Sequence, residues 1–120
     1  MAITLSPLIG EFQDNGRRLK LTSPLSYSDG EFTVTVPEGF VTDFNSVPRG
    51  LWNFFPPWQY PEAAVVHDFL YVTPLNKSRS FADATHRKIL EHLGCSRWKR
   101  WAAWAAIRTF GRGYWNEQPD

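Results

Sequence analysis

A single cysteine, Cys95, in 120 residues leaves no partner for an internal disulfide and too few thiols for a cysteine-based zinc site. The fold must be held by its core, and a chain of this length can bury roughly two-thirds of its unfolded surface without cross-links. Long apolar runs are missing as well: nothing approaches about 18 consecutive apolar residues, so no transmembrane helix is expected. Met1–Gly10 has no basic cluster and no small-residue cleavage site, so no signal peptide is expected either. Net charge is only +1, which argues against a dedicated nucleic-acid binder. Histidine is scarce. The three present, His67, His86 and His92, bound every catalytic or metal-binding reading.

What the chain does have is aromatic bulk, at 16% of residues, within a globular composition that is 42% hydrophobic. One domain is expected over residues 1–120, with 1–58 mainly β and loops and 59–115 helical. Charge is uneven. Residues 1–60 carry four basic and six acidic side chains, whereas 87–112 carry seven basic ones against Glu91 alone. That run reads first as a solvated helix face with cations near its C-terminus. Its second reading is a surface for anionic lipid, phosphate or an acidic partner.

Glu31–Val36 alternates strictly, with Phe32, Val34 and Val36 on one face of a half-buried strand. Ser28-Asp-Gly30 before it reads as a hairpin turn, and the expected partner is Arg17–Tyr27, which Pro24 would place at a sheet edge. Gly39–Asp43 is a further short strand candidate and Ile3–Ile9 a weaker one. Helical pattern begins at Pro61, suited to a first helical position, and runs to Tyr71. A second helix is expected from about Phe81 to Leu93, closed by Gly94, and a third over Arg97–Phe110 behind Ser96. On the third, Trp98, Trp101, Ala105 and Arg108 share a stripe. Phe54-Phe-Pro-Pro-Trp58 cannot be regular helix or central strand, so Phe54, Phe55 and Trp58 either plug the core or form a contact loop. The fold class is α+β, a small N-terminal antiparallel sheet followed by a three-helix half.

His67 and Asp68 are adjacent on a helix and point about 100° apart, which suits two tasks better than mutual pairing. One can act as a base while the other holds a cation. A base needs an orienting partner, and Asp83 on the next helix is the candidate across an antiparallel pair. A hard cation would take oxygen from Asp68 and loop carbonyls, with Asp43 as a possible second carboxylate. A zinc site from His67, Asp68, Asp83 and His86 is a weaker option, since no established ligand spacing supports it. Cys95 with His92 is a poor nucleophile pair, because a three-residue offset across a helix end rarely aims the groups together. Each residue also has a plain structural role open to it. Ser80-Phe-Ala-Asp83 is an acidic capping box, Asp43 can cap a turn, and His67 can hydrogen-bond within the core.

Pro37–Arg49, then Ala64–Tyr71, then Ser78-Arg79 with Ala82-Asp83, resemble a family of small phage and prophage proteins known as a domain of unknown function. The resemblance covers about residues 30–115. It implies a bacteriophage or prophage late protein, made in the host cytoplasm and acting in lysis or as a virion part such as a tail or neck component. His67-Asp68-Phe69-Leu70-Tyr71 is also similar to the His-Asp-x-x-Tyr helix of phospholipase A2 enzymes. This likeness implies a phospholipase A2-like helical half in which His67 activates water and Asp83 orients it. Asp68 would bind calcium with loop oxygens, Asp43 among them by position, and phospholipid would be the substrate. Phe54, Phe55, Trp58, Arg97 and Arg100 would then meet the lipid interface. The chain departs from those enzymes in lacking their disulfides and glycine-rich calcium loop. Two functions follow: a calcium-dependent esterase acting on host envelope lipid, or a non-enzymatic virion protein that keeps the same residues for structure.

Overall fold

The computed structural model describes residues 3–16, 18–42, 59–73, 75–110 and 115. The chain forms two compact units, Met1–Asp43 and Phe44–Asp120. The β half and the helical half follow one another as the sequence indicates, giving an α+β protein.

The first unit holds two three-stranded antiparallel sheets instead of one. Strands β1 (Thr4–Leu5), β4 (Leu25–Ser28) and β5 (Thr33–Val36) form one, with β4 in the middle. Strands β2 (Gly10–Gln13), β3 (Arg18–Leu21) and β6 (Val41–Thr42) form the other around β3. The single strand expected over residues 17–27 is therefore two strands, and each is central in its own sheet. Pro24 lies in the connection between them, where its missing N–H breaks no ladder, so it does not mark an edge strand. Alternation is obeyed within each piece: Leu19, Leu21, Leu25, Tyr27, Val34 and Val36 are buried and their neighbours are not. The hairpin from β4 to β5 turns on Asp29, whose Oδ1 accepts the N–H groups of Glu31 and Phe32 at 3.0 and 2.8 Å. Strand β2 carries no strong hydrophobic alternation, and it escaped the sequence reading. Gly10 in it is obligatory, because a Cβ there would lie 2.6 Å from the Lys20 carbonyl oxygen across the ladder.

The second unit holds α1 (Pro61–Val72), α2 (Arg79–His92) and α3 (Arg97–Phe110). Helix α1 is apolar almost all round, with Ala63 to His67, Leu70 and Tyr71 buried, as expected of a helix inside a core. Helix α2 is amphipathic, and its inward stripe of Ala82, Asp83, His86, Ile89 and Leu90 follows the i, i+3, i+4, i+7 rule. Contacts pair Tyr71 with Arg79 and His67 with Asp83, so α1 and α2 run antiparallel. Those between Asp83 and Arg108 and between Glu91 and Arg100 set α2 antiparallel to α3.

Helix α2 starts two residues before the expected Phe81. Its cap is Ser78, whose hydroxyl accepts the Phe81 N–H at 3.0 Å. Ser80 lies inside the helix, so the capping-box role suggested for Asp83 is overturned, and its carboxylate turns inward. The C-terminus closes as expected at Gly94, with φ of +89°. The N–H groups of Gly94 and Cys95 return to the Glu91 and Leu90 carbonyls at 3.1 and 2.9 Å, a Schellman closure. Among the described residues no helix is long and apolar enough to cross a membrane.

Candidate functional site: a buried histidine–aspartate network

The antiparallel packing of α1 on α2 brings together the two residues that the sequence pairs. His67 Nε2 lies 2.8 Å from Asp83 Oδ1, and both side chains are 0% exposed. Tyr71, one turn beyond His67 on α1, donates its hydroxyl to the same Oδ1 at 2.5 Å. Asp83 Oδ2 accepts from Arg108 at 2.9 Å, so all three helices meet at one carboxylate. Arg79 adds a further layer. Its Nε donates to the Tyr71 hydroxyl at 3.1 Å, and its terminal nitrogen donates to the Ile107 and Arg108 carbonyls at 2.9 and 2.8 Å. Those carbonyls lie in the last turn of α3, where a cation also complements the helix dipole.

These contacts assign protonation states. Burial alone would raise the Asp83 pKa, but hydrogen bonds from His67 and Tyr71, the His67 charge and the Arg108 hydrogen bond hold it below the usual carboxylate value. Asp83 is thus an ionised acceptor, and His67 must carry a proton on Nε2. Nδ1 is then the nitrogen that gains and loses a proton, and it faces Asp68. Burial works to lower the His67 pKa, and hydrogen bonding and charge from Asp68 and Asp83 overcome it, so the pKa is raised. The Tyr71 hydroxyl is pushed up by burial and by Asp83, so it stays protonated, donating to Asp83 while accepting from Arg79.

His67 Nδ1 lies 3.5 Å from Asp68 Oδ1. The offset expected to separate the two adjacent residues does not keep their side chains apart. Asp68 is 13% exposed against 0% for Asp83, so the Nδ1 side of the ring is the side nearer solvent. His86, one turn past Asp83, sets its ring edge-on to His67 with centroids 5.1 Å apart. It is fully buried, its Nδ1 has no hydrogen-bond partner, and burial beside His67 drives its pKa well below the ordinary value. Among the described residues no three His, Cys, Asp or Glu side chains assemble to hold a metal ion. The weaker zinc arrangement finds no support in this geometry.

The remaining predicted residues separate. Asp43, Phe54, Phe55 and Trp58 lie outside the described residues. Arg97 is exposed, whereas Arg100 is half-buried, donates to the Cys95 carbonyl at 3.1 Å and faces Glu91 at 3.8 Å. Cys95 is buried and its thiol pKa is raised by that burial, while His92 is exposed, so the two form no nucleophile pair. Tyr71, Arg79 and Arg108 belong to the network but were given no role from sequence. Tyr71 could have been found from its i, i+4 spacing to His67 on one helix face. For Arg79 and Arg108 no local pattern points to the network: Arg79 reaches Tyr71 across the α1–α2 connection and two carbonyls 28 and 29 residues away, and the Asp83 partner of Arg108 lies 25 residues away.

Fold and site together define an α+β protein whose three C-terminal helices are joined by a buried His–Asp–Tyr–Arg network. By sequence, the chain belongs to the family described as protein of unknown function (DUF1353), which it matches over residues 19–107. No curated protein and no solved structure matches it.

Proposed function

We propose that this chain is a phage- or prophage-encoded hydrolase of phospholipase A2 type that cleaves ester lipid of the host envelope, with His67 as general base. One observation supports this reading: Asp83 holds Nε2, and Nδ1, 3.5 Å from Asp68, is the nitrogen that gains and loses the proton. A water held at Nδ1 would give up a proton as its oxygen attacks the ester carbonyl. Asp83 would stabilise the imidazolium, and the proton would pass to the departing alkoxide. Tyr71 and Arg108 act one step back, keeping Asp83 ionised and oriented. Calcium enters the proposal through Asp68, a hard oxygen donor beside the ring. No step is assigned to the ion, since the described residues supply no second carboxylate to share it.

A second reading draws on a different observation, the complete burial of the His67 and Asp83 side chains. A buried hydrogen-bonded network that joins three helices also fixes their packing, which is what a tail, neck or assembly protein would need.

Release of fatty acid from phosphatidylcholine, phosphatidylethanolamine and phosphatidylglycerol vesicles, with roughly millimolar calcium and with chelator, separates the two. The wild type is expected to hydrolyse lipid, and His67→Asn to lose about 10²–10⁴-fold while keeping its circular dichroism spectrum. Asp68→Asn should abolish any rise of melting temperature with calcium. A wild-type protein that releases no fatty acid from any vesicle ends the hydrolase reading and leaves the structural one.

A further inference from the structure

Helix α3 is built the wrong way round for a helix that only completes a core. Its buried positions are Ala103 and Ile107, while its largest apolar side chains face water: Trp98 is 59% and Trp101 45% exposed. Ala105 and Thr109 continue that outward face, Trp104 flanks it half-buried, and Arg97 is exposed at its start. No acidic residue occurs anywhere in Arg97–Phe110. Cations are interleaved with the indoles. The Arg87 guanidinium, reaching across from α2, sits 4.2 Å from the Trp101 ring centroid and 5.5 Å from that of Trp104. The Lys99 ammonium is 6.0 Å from the Trp98 ring centroid.

Exposing two indoles forgoes part of the burial free energy that drives folding, and the cations interleaved with them give this apolar face a charge that selects what it meets. We propose that the outward face of α3 is a docking surface for anionic phospholipid bilayer. Indole is the side chain best suited to the headgroup boundary, because its body is apolar and its N–H is polar. The cations around it match negative headgroups, and their contact with the rings keeps the long side chains directed at the same plane. The choice of lipid as partner rests on the function proposed above, but the surface is separate from His67 and Asp83. Of the cations the sequence suggested for an interface, Arg97 belongs to this face, while Arg100 is held by Cys95 and Glu91 and does not.

The test uses His67→Asn protein throughout, so that binding is read without hydrolysis and either idea can fail alone. Co-sedimentation with phosphatidylcholine vesicles is compared with the same vesicles containing phosphatidylglycerol. The protein should sediment with the anionic vesicles and be released by added salt. Trp98→Ala with Trp101→Ala should weaken partition by about tenfold or more. Arg97→Gln and Lys99→Gln should each weaken it by about fivefold. Trp101 also packs against Arg87 and Trp104, so the double variant should melt somewhat lower than the parent but in one cooperative transition, which excludes misfolding at the assay temperature. Equal sedimentation of parent and double variant, or no sedimentation of the parent, overturns the proposal. A concentration-dependent dimer that the tryptophan substitutions dissolve would give the face to a second copy and overturn it equally.

Discussion

Removing the Asp83 carboxylate is the sharpest test of the network. In Asp83→Ala, His67 and the Tyr71 hydroxyl lose their shared acceptor, at 2.8 and 2.5 Å, at a carboxylate that is itself fully buried. Truncating one member of a buried hydrogen-bonded charge pair costs about 3–5 kcal/mol, most of it from the group left unpaired. Arg108 adds little to that sum, because it is 34% exposed and can turn to solvent. A domain of this size has about 5–15 kcal/mol in all, so the variant should still fold at low temperature. With a urea slope of about 2 kcal/mol per molar, its midpoint should fall by roughly 2 M. Asp83→Asn keeps an oxygen for Tyr71 and His67 and loses only the charge, so roughly half that shift is expected. Urea titration followed by circular dichroism at neutral pH measures both. An alanine variant that loses less than about 1 kcal/mol would refute the view that this carboxylate joins the helices.

Three further outcomes follow from particular contacts. Ser78→Ala should cost about 1 kcal/mol through loss of the α2 cap, whereas Ser80→Ala should stay within about 0.5 kcal/mol; the reverse order in thermal melts would return the cap to Ser80. His86 has a folded pKa far below its unfolded 6.5, so below that pH the unfolded chain binds a proton that the folded chain refuses. Stability should therefore fall as pH drops from 6.5, by up to about 1.4 kcal/mol per unit from this group, and His86→Leu should flatten that limb in urea titrations at pH 5 to 7. Asp83, whose folded pKa is lowered from 3.8, contributes stability present above that value and lost only at more acid pH, so its limb should persist in His86→Leu.

Local pattern was enough for the helices and for one hairpin. Pro61 at a first position, Gly94 at positive φ and the period of α2 each act within a few residues, so they could be read directly from the chain. The pairing of His67 with Asp83 was also within reach, since a short connection forces neighbouring helices antiparallel. Beyond that range the sequence was silent. Whether residues 17–27 were one strand or two depended on which partners β3 and β4 found, and Pro24 reads alike at an edge and in a connection. Asp83 could be a cap or a network centre until the start of α2 was placed, because a shift of two residues turns its side chain from the helix end to the core. Arg79 and Arg108 join the network only because three helices converge there, and the outward turn of Trp98 and Trp101 was decided by which face of α3 met α2. Chain-local sterics determine where helices begin and end, but which of a helix's faces is inside is a property of the assembled core, and every feature of the site beyond the His67–Asp83 pair depends on that choice.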